Sequence, residues 1–250
     1  MFSGTFSFFL VNPLRGFNDK MSDHYFLLTE PPKMNIEQAR FNMIEQQIRT
    51  WDVLDQDVLD LLLIVKREQF VPLAYKNLAF VDTEIPLADG ENMFTPKMEA
   101  RLLQEVAVKK HETVLEIGTG CGYMAALLSY KGRHVTSVEI SPALKALAEK
   151  NLAGYGISNV SVELGNGALG WQQGAPFDVI VISGSLEVLP EAFLSQLKVG
   201  GRLAVILGSA PLMSAQIITR VSDTAYRTVT LFETSVKALT LAEPVSRFKF

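Results

Sequence analysis

Thr113-Val-Leu-Glu-Ile-Gly-Thr-Gly-Cys-Gly-Tyr123 passes from an apolar, β-branched run into glycines at 118, 120 and 122. It then enters Met124-Ala-Ala-Leu-Leu128, which holds good helix formers and no breaker. That order predicts strand, glycine turn, helix. Without a Cβ the loop backbone can approach a ligand closely, and the helix N-terminus behind it adds partial positive charge. Glu139 lies 21 residues beyond Gly118, just after a second apolar run, His134-Val-Thr-Ser-Val138. A carboxylate at that place accepts hydrogen bonds from a ribose diol. A glycine loop alone also serves as a plain packing turn, so the distal acid is what points to a nucleoside.

The spacing separates two kinds of nucleoside cofactor. Nicotinamide and flavin sites use G-x-G-x-x-G, whereas here the third glycine comes one residue early and Glu116 stands just before the loop. E-x-G-x-G-x-G followed by a distal acid resembles the motif of S-adenosylmethionine-dependent methyltransferases. In that family the loop lies against the methionine part of the cofactor, which has no pyrophosphate to cradle.

Composition sets the outer limits. At 250 residues and 48% apolar, the chain is long enough for one α/β domain with a full core. A net charge of -4 argues against a general nucleic-acid binder. No apolar run approaches the roughly 20 residues of a membrane helix. The single cysteine, Cys121, excludes an internal disulfide and suits a reducing, cytoplasmic compartment; it reads as a small loop filler. His24, His111 and His134 sit on separate segments, so no metal site is expected.

Residues 1–33 look unlike the remainder. Phe6-Ser-Phe-Phe-Leu-Val11 is short for a signal-peptide core and has no basic residue before it. Pro31-Pro32 then interrupts the chain and Met34 opens a well-patterned segment, so 1–33 is expected to be an appendage outside the native fold. Residues 34–110 are expected to form a helical cap with a substrate-side loop, and 111–250 the cofactor-binding core. In the cap, the period of Ile36, Ala39, Met43, Ile44 and Ile48 predicts one helix over 35–50, and Val53 to Val65 a second. An irregular loop, Val81 to Gly90, precedes a third helix, Pro96 to Val106, with proline at its first turn.

Beyond the second strand, Ser141 and Pro142 open a helix reaching Leu152, and Val160 to Leu164 alternates as a third strand. Phe177 to Ile182 reads as a buried fourth strand, Glu187 to Leu197 as a helix, Lys198 to Gly201 as a turn and Arg202 to Leu207 as a fifth strand. This alternation predicts a doubly wound, mostly parallel, Rossmann-like sheet with ligand groups at the strands' carboxyl ends, where Gly118, Glu139, Asn166 and Ser183 fall. Ala215 to Val221 and Tyr226 to Phe232 are expected to close it as an antiparallel hairpin at one edge.

A narrower resemblance follows. Arg40-Phe-Asn-Met-Ile-Glu-Gln-Gln-Ile-Arg49, Val114 to Tyr123, Gly165-Asn-Gly with Trp171 and Ala175-Pro-Phe-Asp178, and Leu197-Lys-Val-Gly-Gly-Arg-Leu203 are similar, in order and spacing, to successive blocks of the protein-L-isoaspartate O-methyltransferase family. The resemblance covers roughly residues 34–208. It implies methyl transfer from S-adenosylmethionine to the carboxylate of L-isoaspartyl residues in damaged proteins, a repair activity; separately, the chain is expected to be a monomer. It places Glu116, Gly118, Thr119 and Gly120 at the methionine moiety, Glu139 at the ribose and Asn166 near the adenine, with Gly122, Ile140 and Gly167 completing the cofactor set.

The chain departs from the family at three places. Phe94 stands where the family carries a serine associated with the substrate carboxylate. Thr95, one residue on, offers a hydroxyl only if the loop is reshaped; with Ser183 it is the candidate catalytic hydroxyl. Asn166 replaces a common aspartate yet keeps an acceptor oxygen. The tail from Thr234 to Phe250 reads as a variant extension. Because a carboxylate acceptor is ionised at neutral pH, with a reference pKa near 4, no general base is required. Two other readings stay open beside repair: a related methyltransferase with another acceptor, which Phe94 favours, and a cofactor-binding relative without turnover. A nicotinamide oxidoreductase comes last.

Overall fold

The computed structural model describes residues 35–240. The expected appendage 1–33 and the last part of the tail, 241–250, lie outside the described residues. A seven-stranded sheet has the order β5-β4-β3-β6-β7-β8-β9. Its strands are β3 (Thr113–Ile117), β4 (His134–Glu139), β5 (Val160–Leu164), β6 (Phe177–Leu186), β7 (Leu197–Ser209), β8 (Leu212–Arg220) and β9 (Tyr226–Thr234). Pairing is parallel from β5 through β7 and antiparallel between β7, β8 and β9, as the alternation and the closing hairpin predict. The chain runs outward from β3 to β4 and β5, then returns to β6 on the other side. That reversal puts the topological switch point between β3 and β6, and a crevice opens beside it at the strands' carboxyl ends.

The helices begin where side chains can cap them. α3 (Pro96–Val106) follows Thr95, whose hydroxyl accepts from Met98 N at 3.4 Å, and α5 (Pro142–Gly154) follows Ser141, which accepts from Leu144 N at 3.1 Å. Gly122, with φ 86°, opens α4 (Tyr123–Lys131), and a Cβ there would stand 3.2 Å from the Ala148 side chain on α5. It is the place where two helices cross closely. The strands bury both faces: Val114 and Val179 pack with Met43, Ile48, Leu62 and Leu103 on one side, while Leu115, Ile117, Ile180 and Ile182 pack with Phe193 and Leu203 on the other.

Four local expectations are corrected. The first segment is α1 (Ile36–Met43), then a π-helical turn and a 3-10 turn, Ile44–Ile48 and Arg49–Trp51, rather than one helix to residue 50. Asp55 caps Asp57 N at 2.9 Å, so α2 is Gln56–Ile64 and starts later than residue 53. β6 continues to Leu186 and the following helix, α6, is only Glu191–Ser195, because Pro190, with no N–H and a ψ of 133°, stands at its start. Lys198 to Gly201 is no separate turn: it is a bulge inside β7, where pairing slips from Phe177 with Leu197 to Val179 with Arg202.

The segment ahead of the sheet carries buried charge. Arg40 pairs with Glu68 and Glu37, and Arg67 pairs with Glu99 while donating to the carbonyls of Ala79 at 3.1 Å and Phe94 at 2.6 Å. Arg67 therefore ties the loop before α3 to the core. Within that loop, β1 (Ile85–Pro86) and β2 (Asn92–Met93) pair as a small hairpin.

Candidate functional site

A cleft opens at the carboxyl ends of β3 and β4. Gly118, Gly120, Glu139, Ile140, Asn166 and Gly167 all line it, so six of the nine residues anticipated for a cofactor meet in one place. Apolar Ile117, Val138, Leu144 and Ala168 complete a slot between the acid of β4 and the turn after β5. Glu139 is buried, with one carboxylate oxygen accepting from Gly120 N at 2.8 Å and the other from Ser141 N at 2.9 Å. Each oxygen has a second lone pair, so the group remains an acceptor. Asn166 Oδ1 accepts from Ala168 N at 3.0 Å, which holds the turn after β5.

A second, smaller cavity shares Gly118, Gly120, Asn92 and Ser183 with the first. Glu116, Thr119, Cys121, Glu99 and Phe94 line it. A chain of hydroxyls runs beneath the glycine loop: Thr119 Oγ1 lies 2.6 Å from Ser137 Oγ, which donates to Glu116 Oε2 at 2.6 Å, and Ser183 Oγ donates to Glu116 Oε1 at 3.1 Å. Burial pushes the Glu116 carboxyl up to about 8, against the two serine hydrogen bonds that pull it down, and the charge of Glu139 pushes the same way. Glu99 is also driven up to about 8 by burial, opposed by the Arg67 guanidinium and reinforced by Glu116. At neutral pH Glu116 is thus a neutral acid able to return a hydrogen bond. The buried Cys121 thiol is raised to about 12, which leaves it unreactive.

Two anticipated residues lie outside both cavities. Gly122 packs α4 on α5, and the Thr95 hydroxyl is spent on capping α3. Ser183, the other candidate hydroxyl, lines both. Sequence reasoning missed Glu91, Asn92, Leu239 and Thr240, which wall the first cleft, and the Arg67–Glu99 pair at the second. Glu91 and Asn92 lie just past the irregular loop Val81 to Gly90, and nothing in the local pattern marked any of the four cleft residues. Among the described residues there is no group of three or more His, Cys, Asp or Glu placed to hold a metal, and no helix is long and apolar enough to cross a membrane.

Comparison with known proteins completes the picture. The family model described as Protein-L-isoaspartate(D-aspartate) O-methyltransferase matches residues 38–242. A protein-L-isoaspartate O-methyltransferase of Protochlamydia amoebophila is 37% identical over 179 residues, covering 72% of this chain and 84% of its own. A protein-L-isoaspartate O-methyltransferase 2 of Marinobacter nauticus is 37% identical over 193 residues, covering 77% and 88%. A solved protein-L-isoaspartate O-methyltransferase superposes with a TM-score of 0.68 at 27% identity, over 83% of this chain and 66% of that one. A Plasmodium falciparum structure in complex with S-adenosyl-L-homocysteine shares the fold, with a TM-score of 0.71 at 19% identity over 83% and 99% of the two chains.

Proposed function

The chain belongs to the protein-L-isoaspartate O-methyltransferase family, and on that premise we propose that it transfers a methyl group from S-adenosylmethionine to the free carboxylate of L-isoaspartyl residues in damaged peptides and proteins, in the cytoplasm. The observation that carries the cofactor half is the meeting of the Gly118–Gly120 backbone with Glu139 at the mouth of an apolar slot. A nucleoside needs flat apolar walls for its base and an acceptor for its diol, and the slot offers both.

In this reading Glu139 accepts from the ribose, while Ile140, Asn166 and Gly167 bound the adenine. Gly118, Thr119 and Gly120, with Glu116 beneath them, face the methionine end. Bound S-adenosylmethionine supplies a sulfonium-activated methyl group. The chain has then to orient an acceptor that is already ionised near neutral pH. Orientation alone lowers barriers by about 7 to 11 kcal/mol in well-aligned systems. The smaller cavity adjoins the glycine loop and is the acceptor side, with Asn92 and Ser183 as its positioning polar groups.

A second reading, a different methyl acceptor, is favoured by one observation. Phe94 is buried, 8% exposed, at the wall of that cavity, at the position where the family resemblance leads one to expect a serine. Incubation with labelled S-adenosylmethionine and an isoaspartyl peptide tests the proposal. Base-labile label on the peptide supports repair. Cofactor binding without peptide labelling rejects it and directs the search to other acceptors.

A further inference from the structure

We propose that residues 236–240 are a retaining strap over the nucleoside cleft, latched through Lys237 and Thr240 to Glu91, and that the nucleoside exchanges only when this latch opens. The inference rests on the cofactor assignment of the cleft made above.

The strap has a firm side and a weak side. On the firm side it joins the sheet. Pairing between β6 and β7 is irregular from Val181 to Ser185; Ser185 pairs with Ile206 on β7 and also bridges, in parallel, to Ala238 of the strap. Ser185 N donates to Lys237 O at 3.0 Å, Leu239 N donates to Ser185 O at 2.9 Å, and Ser185 Oγ donates to Val236 O at 3.3 Å. The Leu239 side chain occupies a seat that two glycines leave open. A Cβ on Gly184 would stand 2.6 Å from Leu239 Cδ2, and one on Gly118 would stand 3.4 Å from it. Leu239 thereby reaches the same glycine that lines the cleft.

On the weak side the strap meets the loop before α3 through side chains. Lys237 Nζ lies 2.7 Å from Glu91 Oε1 and donates to Gly90 O at 2.7 Å, while Thr240 Oγ1 donates to the same Glu91 oxygen at 2.8 Å. Glu91, Asn92, Leu239 and Thr240 all line the cleft. The latch thus joins lining residues contributed by distant parts of the chain. The side chains of Lys237 and Glu91 are 40% and 25% exposed, so their attraction is modest and screened by salt. Main-chain bonds and the seated leucine hold the strap on the sheet, and the latch is the part that yields. Product nucleoside must leave after every turnover, so the latch is placed to set that rate.

The test measures association and dissociation of S-adenosylhomocysteine by stopped flow, with the whole chain. Glu91→Gln and Lys237→Met should each raise both rates by roughly three- to tenfold while the dissociation constant moves far less, because a gate speeds entry and exit alike. Wild-type dissociation should quicken with ionic strength, and the two variants should lose that dependence. Leu239→Ala, which removes wall instead of latch, should raise dissociation alone and weaken affinity. Unchanged rates in both latch variants, with melting temperatures equal to wild type, would make the strap a static wall and overturn the proposal. Should a variant fail to fold, a wild-type dissociation rate indifferent to salt overturns it equally. Absence of any S-adenosylhomocysteine binding to the wild type is a separate result and removes the cofactor assignment itself.

Discussion

Gly120 donates its backbone N–H to the Glu139 carboxylate at 2.8 Å, joining the glycine loop after β3 to the acid at the end of β4. The two halves of the sequence motif are therefore one hydrogen-bonded unit. The other Glu139 oxygen does the same for Ser141, whose side chain caps α5.

Glu139→Ala should weaken S-adenosylhomocysteine binding by about 1.5 to 3 kcal/mol, the range for hydrogen bonds to a charged group. It should also lower the melting temperature, since two buried backbone donors lose their acceptor. Titration calorimetry and thermal melts check both effects. An unchanged dissociation constant in a folded variant would remove the ribose from Glu139.

Stability should fall as pH rises through the Glu116 titration. Its folded-state pKa, about 8, is above the ordinary carboxylate value, so from about pH 4.5 to 8 the unfolded chain has released a proton that the folded chain keeps. Each rising pH unit in that window costs at most about 1.4 kcal/mol from this one group. Glu116→Gln holds the site neutral and should make the profile shallower, leaving the parallel contribution of Glu99, which is also raised to about 8. Asp178, lowered to about 2 with help from Lys198 and Thr113, contributes oppositely, and its stabilisation is lost only as pH falls below about 4. Urea denaturation across pH separates the two.

Gly122→Ala should cost stability by about 1 to 2 kcal/mol for the left-handed backbone alone, with a further contribution from crowding against Ala148. The folded fraction should keep its affinity for S-adenosylhomocysteine, because Gly122 lines neither cavity. Calorimetry near the melting onset of the variant distinguishes this from a ligand contact.

Phe94→Ser should destabilise the chain by about 3 kcal/mol or more, the usual cost of emptying a buried aromatic position. If the acceptor is an isoaspartyl carboxylate, the new hydroxyl should lower the KM for an isoaspartyl peptide by about two- to tenfold, one hydrogen bond's worth. A KM that stays level or rises, measured on folded protein, favours the other-acceptor reading.

The chain's local patterns determined more of the architecture than of the site. Apolar β-branched runs at Val114, Val135 and Val160, and the caps Thr95-Pro96 and Ser141-Pro142, act over a few residues, so strands and helix starts stand where period and chemistry place them. Length failed as a guide where pairing partners intervened. β6 outruns its expected end because β7 and the strap extend its pairing, and Lys198 to Gly201 became a bulge for the same reason. At the site, Gly118, Gly120, Glu139, Ile140, Asn166 and Gly167 were legible because each sits at a strand's carboxyl end, and a parallel sheet gathers those ends on one rim. Tertiary structure alone brought Glu91 to Lys237 and seated Leu239 beside Gly118. No spacing or period relates residues so far apart in sequence. Their meeting depends on how the whole sheet twists and where its last strand returns, and that is set by the packed core as a unit.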